Sequence, residues 1–333
     1  MSTKSRQPRK RKNPDPGEGK GKIPPEKMQL IRNIIVAVIA VVVIFLLIVA
    51  IRAVMNRNSD SSSDSSSTES ESIPENSYDE ENFVSESDGT VSYEDESYYS
   101  VMGIDVSSHQ GDIDWEALAQ EGIEFAILRI GYRGYTEGGL YEDEAFFTNL
   151  EGAQENGIQV GAYFYSQAIS AEEAEEEAEF VLDILDGTEL DFPVFYDWEM
   201  QTDEGSRTLD IDESILTDCA LEFCQEIEEE GYDAGIYFYS SLALDSYTLT
   251  ELLDYEFWLS QPGETPDFDY VFTFWQYSIT GSLEGISTDV DLDMMLVSVE
   301  DVEGTDEDEE NGGETEEDTE ENEIDNEETA EED

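Results

Sequence analysis

Lysine disappears from this sequence after Lys27, histidine occurs once, and there are two cysteines in 333 residues. Fifteen basic side chains face 84 acidic ones, and ten of the fifteen lie before residue 33. From Ala53 onward four arginines meet 81 acids, a net charge of −77. Without clustered Lys and Arg there is nothing to neutralise phosphates, which excludes nucleic-acid binding by the bulk of the chain. The lone His109 excludes a histidine triad unless it alone serves, and would give a zinc site only one such ligand. Beside Gln110 and Gly111 it reads as a loop residue. Cys219 and Cys224 are five apart on one predicted helix, so about 140° separates them around its axis. Their side chains point apart, which argues against a disulfide, and Cys219 shares a face with Leu216, Ala220 and Phe223 as a core residue. What is present is a 38% hydrophobic, 11% aromatic composition. That supports a core and excludes uniform disorder, so charge and apolar residues must be segregated along the chain.

Five segments follow. Residues 1–32 are basic and poor in apolar side chains, a disordered tail. Residues 33–52 contain eighteen consecutive apolar residues, 34–51, between Arg32 and Arg52. As a helix they span about 27 Å, the thickness of a bilayer core. The run is too long for a signal peptide and no small-residue cleavage site follows it. The basic excess before it predicts a cytoplasmic N-terminus, with everything beyond facing outward from a bacterial cell membrane. Residues 53–100 open with a Ser/Asp tract and read as a polar linker too poor in apolar residues to fold. Residues 101–299 are the globular part. Residues 300–333 hold 21 acids and no base and read as a disordered tail.

Within 101–299, apolar runs at 102–106, 125–131, 160–165, 193–198, 234–239, 257–260, 272–277 and 290–296 alternate with amphipathic stretches at 114–121, 142–156, 171–185 and 212–230. Gly157 and Gly231 stand where helices stop. Runs apolar on both faces and separated by helices predict a parallel sheet covered by helices. Eight of them predict an α/β fold of TIM-barrel type, a (β/α) barrel complete or distorted. The acids of 172–179 read as a solvated helix face rather than a metal site.

In such a barrel reactive groups gather at the carboxyl ends of the strands. Those ends carry Asp105, Arg129, Tyr163, Tyr165, Asp197, Glu199, Tyr237, Tyr239, Trp258, Trp275, Gln276 and Asp291. Carboxylates among aromatic rings suit a carbohydrate, whose apolar faces stack on the rings. In so acidic a chain about twenty acid-x-acid triplets arise by chance. Asp197-Trp198-Glu199 is informative only because it ends the buried run Phe192-Pro-Val-Phe-Tyr. Residues two apart on a strand face the same way, and a neighbouring carboxylate raises one pKa of the pair, keeping that acid protonated near neutral pH. Glu199 has the longer reach.

Gly103-Ile-Asp-Val-Ser-Ser-His-Gln-Gly111 with Ile113-Asp-Trp115, Phe125-Ala-Ile-Leu-Arg129, Gly161-Ala-Tyr163, Asp197-x-Glu199, Trp275-Gln276-Tyr277 and Val290-Asp-Leu292 stand in an order that resembles glycoside hydrolase family 25, the Chalaropsis-type lysozymes. The resemblance covers residues 101–299. It implies a muramidase that hydrolyses the β-1,4 bond between N-acetylmuramic acid and N-acetylglucosamine, with no cofactor and no metal. Peptidoglycan glycan strands are the implied partner, with the membrane engaged through residues 33–52. Glu199 would be the general acid. Asp197 would be either a nucleophile or the group that orients the substrate's 2-acetamido group, the second matching the family's proposed mechanism. Asp105 and Asp291 would hold the pair, and Tyr163, Tyr237, Trp275, Gln276 and Arg129 would line subsites. The family often has His where this chain has Phe164, which would cost one substrate hydrogen bond. The alternatives are a catalytically silent glycan-binding module and a membrane scaffold.

Overall fold

Eight strands close into a barrel, and seven of them run parallel. The computed structural model describes residues 72–299 except Asp210. The basic tail, the segment 33–52 with its apolar run, the Ser/Asp tract and the acidic tail lie outside the described residues. Among those described, no helix is long and apolar enough to cross a membrane.

The elements are β1 (Phe83–Ser85), β2 (Val91–Tyr93), β3 (Tyr98–Val106), α1 (Trp115–Glu121), β4 (Phe125–Arg133), β5 (Leu140–Glu142), α2 (Phe146–Glu155), β6 (Gln159–Ser166), α3 (Ala171–Leu185), β7 (Val194–Trp198), α4 (Leu216–Glu229), β8 (Ala234–Tyr239), α5 (Ser240–Asp245), β9 (Glu256–Ser260), β10 (Phe274–Gly281) and β11 (Val290–Ser298). Around the barrel the order is β3, β4, β6, β7, β8, β9, β10, β11, and β3–β4 pairing closes it. All neighbours pair in parallel up to β10. β11 is antiparallel to both β10 and β3, so the expectation of an all-parallel barrel is corrected. The eight-residue connection from β10 to β11 has room for a hairpin and none for a crossover helix.

The helices start and stop where local chemistry dictates. The Asp114 carboxylate accepts from Ala117 N–H at the start of α1, and Ser170 accepts from Glu173 N–H at the start of α3. These caps satisfy orphan donors of the first turn. Gly157 and Gly231 follow α2 and α4 with φ of 77° and 91°, the left-handed region that glycine enters without penalty.

Along each strand alternate side chains fill two separate cores. The inner one contains Phe125, Ile127, Tyr163, Phe195, Tyr237, Trp258 and Phe274. Its rings meet edge to face, Phe195 lying 5.2 Å from both Trp258 and Phe274, the arrangement that ring quadrupoles favour. A Cβ on Gly103 would overlap the ring of Phe125, and one on Gly235 the ring of Phe195. These glycines make the room that large rings need inside a narrow barrel. The outer core lies between strands and helices and includes Cys219 and Cys224, both buried and unpaired with each other.

Two expectations change at the barrel's outside. Residues 72–100 are not all linker. Among the described residues no helix covers β10 and β11, and the chain ahead of β3 fills that place. Phe83 sits 5.3 Å from Trp275, Tyr78 packs 5.1 Å from Phe272, and Tyr78 donates to the Phe272 carbonyl at 2.6 Å. Tyr93 is buried as well. The folded unit therefore includes this arm. Nor are residues 172–179 wholly a solvated face. Glu177 is completely buried on α3, where it pairs with Arg133 at 2.6 Å.

Candidate active site

Five carboxylates converge at one end of the barrel. Asp105 comes from β3, Asp197 from β7, Glu199 from the residue after Trp198, and Asp291 and Asp293 from β11. Asp291 starts its strand rather than ending it. It reaches the same mouth because β11 runs antiparallel, which sets it opposite Asp105. Asp197 lies between Tyr165 of β6 and Tyr237 of β8 in register.

Burial dominates the electrostatics. It pushes Asp105 well above the carboxylate range, and the nearby Asp293 and Asp291 push it further. Asp197 is raised by burial and by Glu199, with Arg129 pulling it back. Glu199 is raised by burial against the opposing hydroxyls of Tyr237 and Tyr165. Asp291 rises to about 6, again from burial and then from Glu199. Carboxyls removed from water and set among their own kind share protons rather than all ionising together. The mouth thus holds fewer negative charges near neutral pH than its composition suggests.

One hydrogen-bonded chain wires four strands together, β8, β9, β10 and β3. Tyr237 OH and Ser260 Oγ donate to Gln276 Oε1 at 3.0 and 2.7 Å. Gln276 Nε2 donates to Asp105 Oδ2 at 2.7 Å. The amide's orientation is therefore fixed, with its acceptor toward two hydroxyls and its donor toward the acid. Asp197 Oδ1 is buried and has no donor directed at it, an orphan acceptor facing the mouth.

Of the nine residues expected to act, eight meet here. Trp275 does not. Phe274 and Gln276 point inward on β10, so the side chain between them points out, where Trp275 packs on Phe83 and donates to the Gln261 carbonyl at 2.9 Å. Phe164 likewise faces outward, against Phe180 and Phe223, so its identity removes no hydrogen bond from the mouth. Arg129 finds its acid in Asp143, at 2.7 Å. Asp143 is buried after β5 and also accepts from Ser108 N–H at 3.1 Å and Ala145 N–H at 2.9 Å. His109 is exposed, in the short 3-10 turn Ser108–Gln110 that follows β3.

Sequence reasoning missed Asp143 and Asp293. Asp293 was signalled, since it stands two residues past Asp291 on the same strand and must share its face. Asp143 lies in a loop with no spacing to mark it.

Comparison with known proteins places this geometry. A sequence profile for glycosyl hydrolases family 25 matches residues 104–286. The chain is 29% identical over 194 residues to an autolytic lysozyme of Clostridium acetobutylicum, covering 58% of this chain and 55% of that protein. It is 28% identical over 202 residues to lysozyme M1 of Streptomyces globisporus, covering 57% of this chain and 66% of that one. The match thus spans little more than half the length of the clostridial relative. Among solved structures, the modular autolysin LytC from Streptococcus pneumoniae superposes with a TM-score of 0.55 at 22% identity, over 64% of this chain and 52% of that one. A family 25 glycosyl hydrolase from Bacillus anthracis gives 0.52 at 23% identity, over 61% and 92%.

Proposed function

Because the chain belongs to glycosyl hydrolases family 25, we propose that it is a membrane-anchored muramidase that cuts the β-1,4 bond between N-acetylmuramic acid and N-acetylglucosamine in peptidoglycan. The observation that carries this reading is Asp197, with an oxygen that has no partner, close to Glu199 at a carboxylate-lined mouth. Glu199 protonates the leaving oxygen. Asp197 Oδ1 accepts the N–H of the substrate's 2-acetamido group, turning its carbonyl oxygen toward the anomeric carbon as an internal nucleophile.

Substrate binding sorts the shared proton. An N–H delivered to Asp197 stabilises its charged form and lowers its pKa. Water expelled from around Glu199 raises that pKa further. Both changes move the proton onto Glu199, where general-acid catalysis needs it. Asp105 and Gln276 brace the sugar from the opposite wall, and Tyr163, Tyr237 and Arg129 line the approach.

The test is to incubate the full chain with purified peptidoglycan sacculi and measure new reducing ends. A muramidase leaves N-acetylmuramic acid at each new end, identified after borohydride reduction. Binding to sacculi without new ends would instead favour a silent glycan-binding module.

The apolar run at 34–51 supports anchoring, with the basic tail cytoplasmic and the barrel on the wall side of a bacterial membrane. Expected results are retention in the membrane fraction after alkaline carbonate washing and removal of the barrel by protease added to wall-stripped cells. A barrel protected from external protease would reverse the orientation.

A further inference from the structure

We propose that Asp293 is a positioning residue of this site, a buried carboxylic acid that shares a proton with Asp105 and so holds the Asp105 carboxylate in line with Gln276. The inference rests on the muramidase reading and deepens it.

Asp293 has no exposed surface. Its Oδ1 accepts from Trp258 Nε1 at 2.9 Å, while its buried Oδ2 has no donor directed at it. In register it lies between Gly103 of β3 and Gln276 of β10. Gly103 has no side chain to separate it from Asp105, two residues further up the same face. The Asp293 carboxyl reaches both the side chain and the backbone of Asp105.

The groups around it decide its charge. Asp105 faces it from β3, Asp291 from its own strand, Tyr277 from β10 and Trp258 from β9. None is a cation. Arg129, the base nearest the mouth, is held by Asp143 and acts on Asp197 and Tyr163. An ionised Asp293 would be a buried charge facing a second carboxylate, with only the neutral Trp258 N–H and the Asp105 backbone to hold it, which is a costly arrangement. A proton on Oδ2 removes the charge and supplies the missing contact, an O–H donated to Asp105. Burial accordingly pushes Asp293 up to about 8. Asp105 then accepts from two directions, from Gln276 Nε2–H and from Asp293 O–H, and its carboxylate cannot rotate.

Asp293→Asn tests the idea, because the amide keeps an acceptor for Trp258 and an N–H for Asp105 but cannot ionise. Asp293→Leu keeps the volume and loses both. With the full chain at pH 6, Asn should leave kcat near wild type. Leu should lower kcat about 10- to 100-fold, the worth of a hydrogen bond to a charged group, with KM little changed. Thermal unfolding supplies a readout independent of catalysis. A carboxyl at about 8 when folded and about 4 when unfolded contributes stability that is full below the lower value and is lost as pH rises through the upper one. The wild-type Tm should therefore fall relative to Asp293→Asn between these values and run parallel to it above them. A constant Tm difference across that window would overturn the proposal, as would an Asn variant as impaired as Leu. If the Tm difference slopes as expected but the wild type releases no reducing ends, the shared proton stands and the muramidase reading falls.

Discussion

Glu199→Gln should lower kcat on peptidoglycan by about 10²- to 10⁴-fold with KM nearly unchanged, because general-acid assistance is a transition-state contribution. A thousandfold loss is about 4 kcal/mol of barrel-mouth stabilisation withheld from the departing oxygen. The leaving group decides whether the assignment is right. An aryl glycoside whose phenolate departs unaided does not need the acid, so Glu199→Gln should regain most of its rate on that substrate. Asp197→Asn should not regain it, because orientation of the acetamido group is required whatever leaves. Both carboxyls are raised by burial, and the wild-type rate should fall as rising pH strips the catalytic proton. In Glu199→Gln that alkaline fall should vanish. Equal losses for Glu199→Gln on both substrates would remove the acid role from Glu199.

The contrast between these two acids also shows what could be read in advance. All eight barrel strands were legible because a strand buried on both faces is a short continuous apolar run. The direction of β11 was not, because alternation encodes which face a side chain takes and says nothing of the direction in which the strand is crossed. Trp275 was misplaced for a related reason. A one-residue step along a strand moves a side chain to the opposite face, and Gln276, not Trp275, carries the inward parity of β10. Asp293 was available from the same rule. The arm around Tyr78 and Phe83 was hidden by composition, since a few rings among many acids look like linker. What reveals its role is the bare outer face of β10 and β11, a fact of topology. The acidity resolves in the same way. Most of the barrel's acids coat its outside, while five at the mouth, Asp143 beside Arg129 and Glu177 in the outer core are withdrawn from water.

Removing the Arg133 side chain should cost the fold about 3–5 kcal/mol at pH 8, the penalty for leaving a buried charge without its partner. Arg133 Nε donates to Glu177 Oε1 at 2.6 Å, and its other nitrogens donate to the carbonyls of Gly138 at 3.0 Å and Glu173 at 2.7 Å. Ser166 Oγ donates to Glu177 Oε2 at 2.5 Å. Burial still pushes Glu177 up to about 7, against the opposing pull of Ser166 and Arg133. In Arg133→Met the part of that pull due to Arg133 is lost and the pKa climbs further. A carboxyl raised above its unfolded value of about 4.3 destabilises progressively as pH rises above that value. The loss in Arg133→Met should therefore be smaller at pH 5, where Glu177 takes up a proton, than at pH 8. Arg133→Met with Glu177→Leu should recover most of it, since an apolar pair of similar volume leaves no charge stranded. Denaturant titrations at the two pH values measure all three, and a loss independent of pH would show that Glu177 is not the source. The same variant should lower kcat. Gln167, whose backbone N–H also contacts Glu177 Oε1 at 3.4 Å, donates from Nε2 to the Glu199 carbonyl at 2.6 Å. The buried ion pair outside the barrel thus steadies the stretch of backbone that presents the catalytic acid inside it.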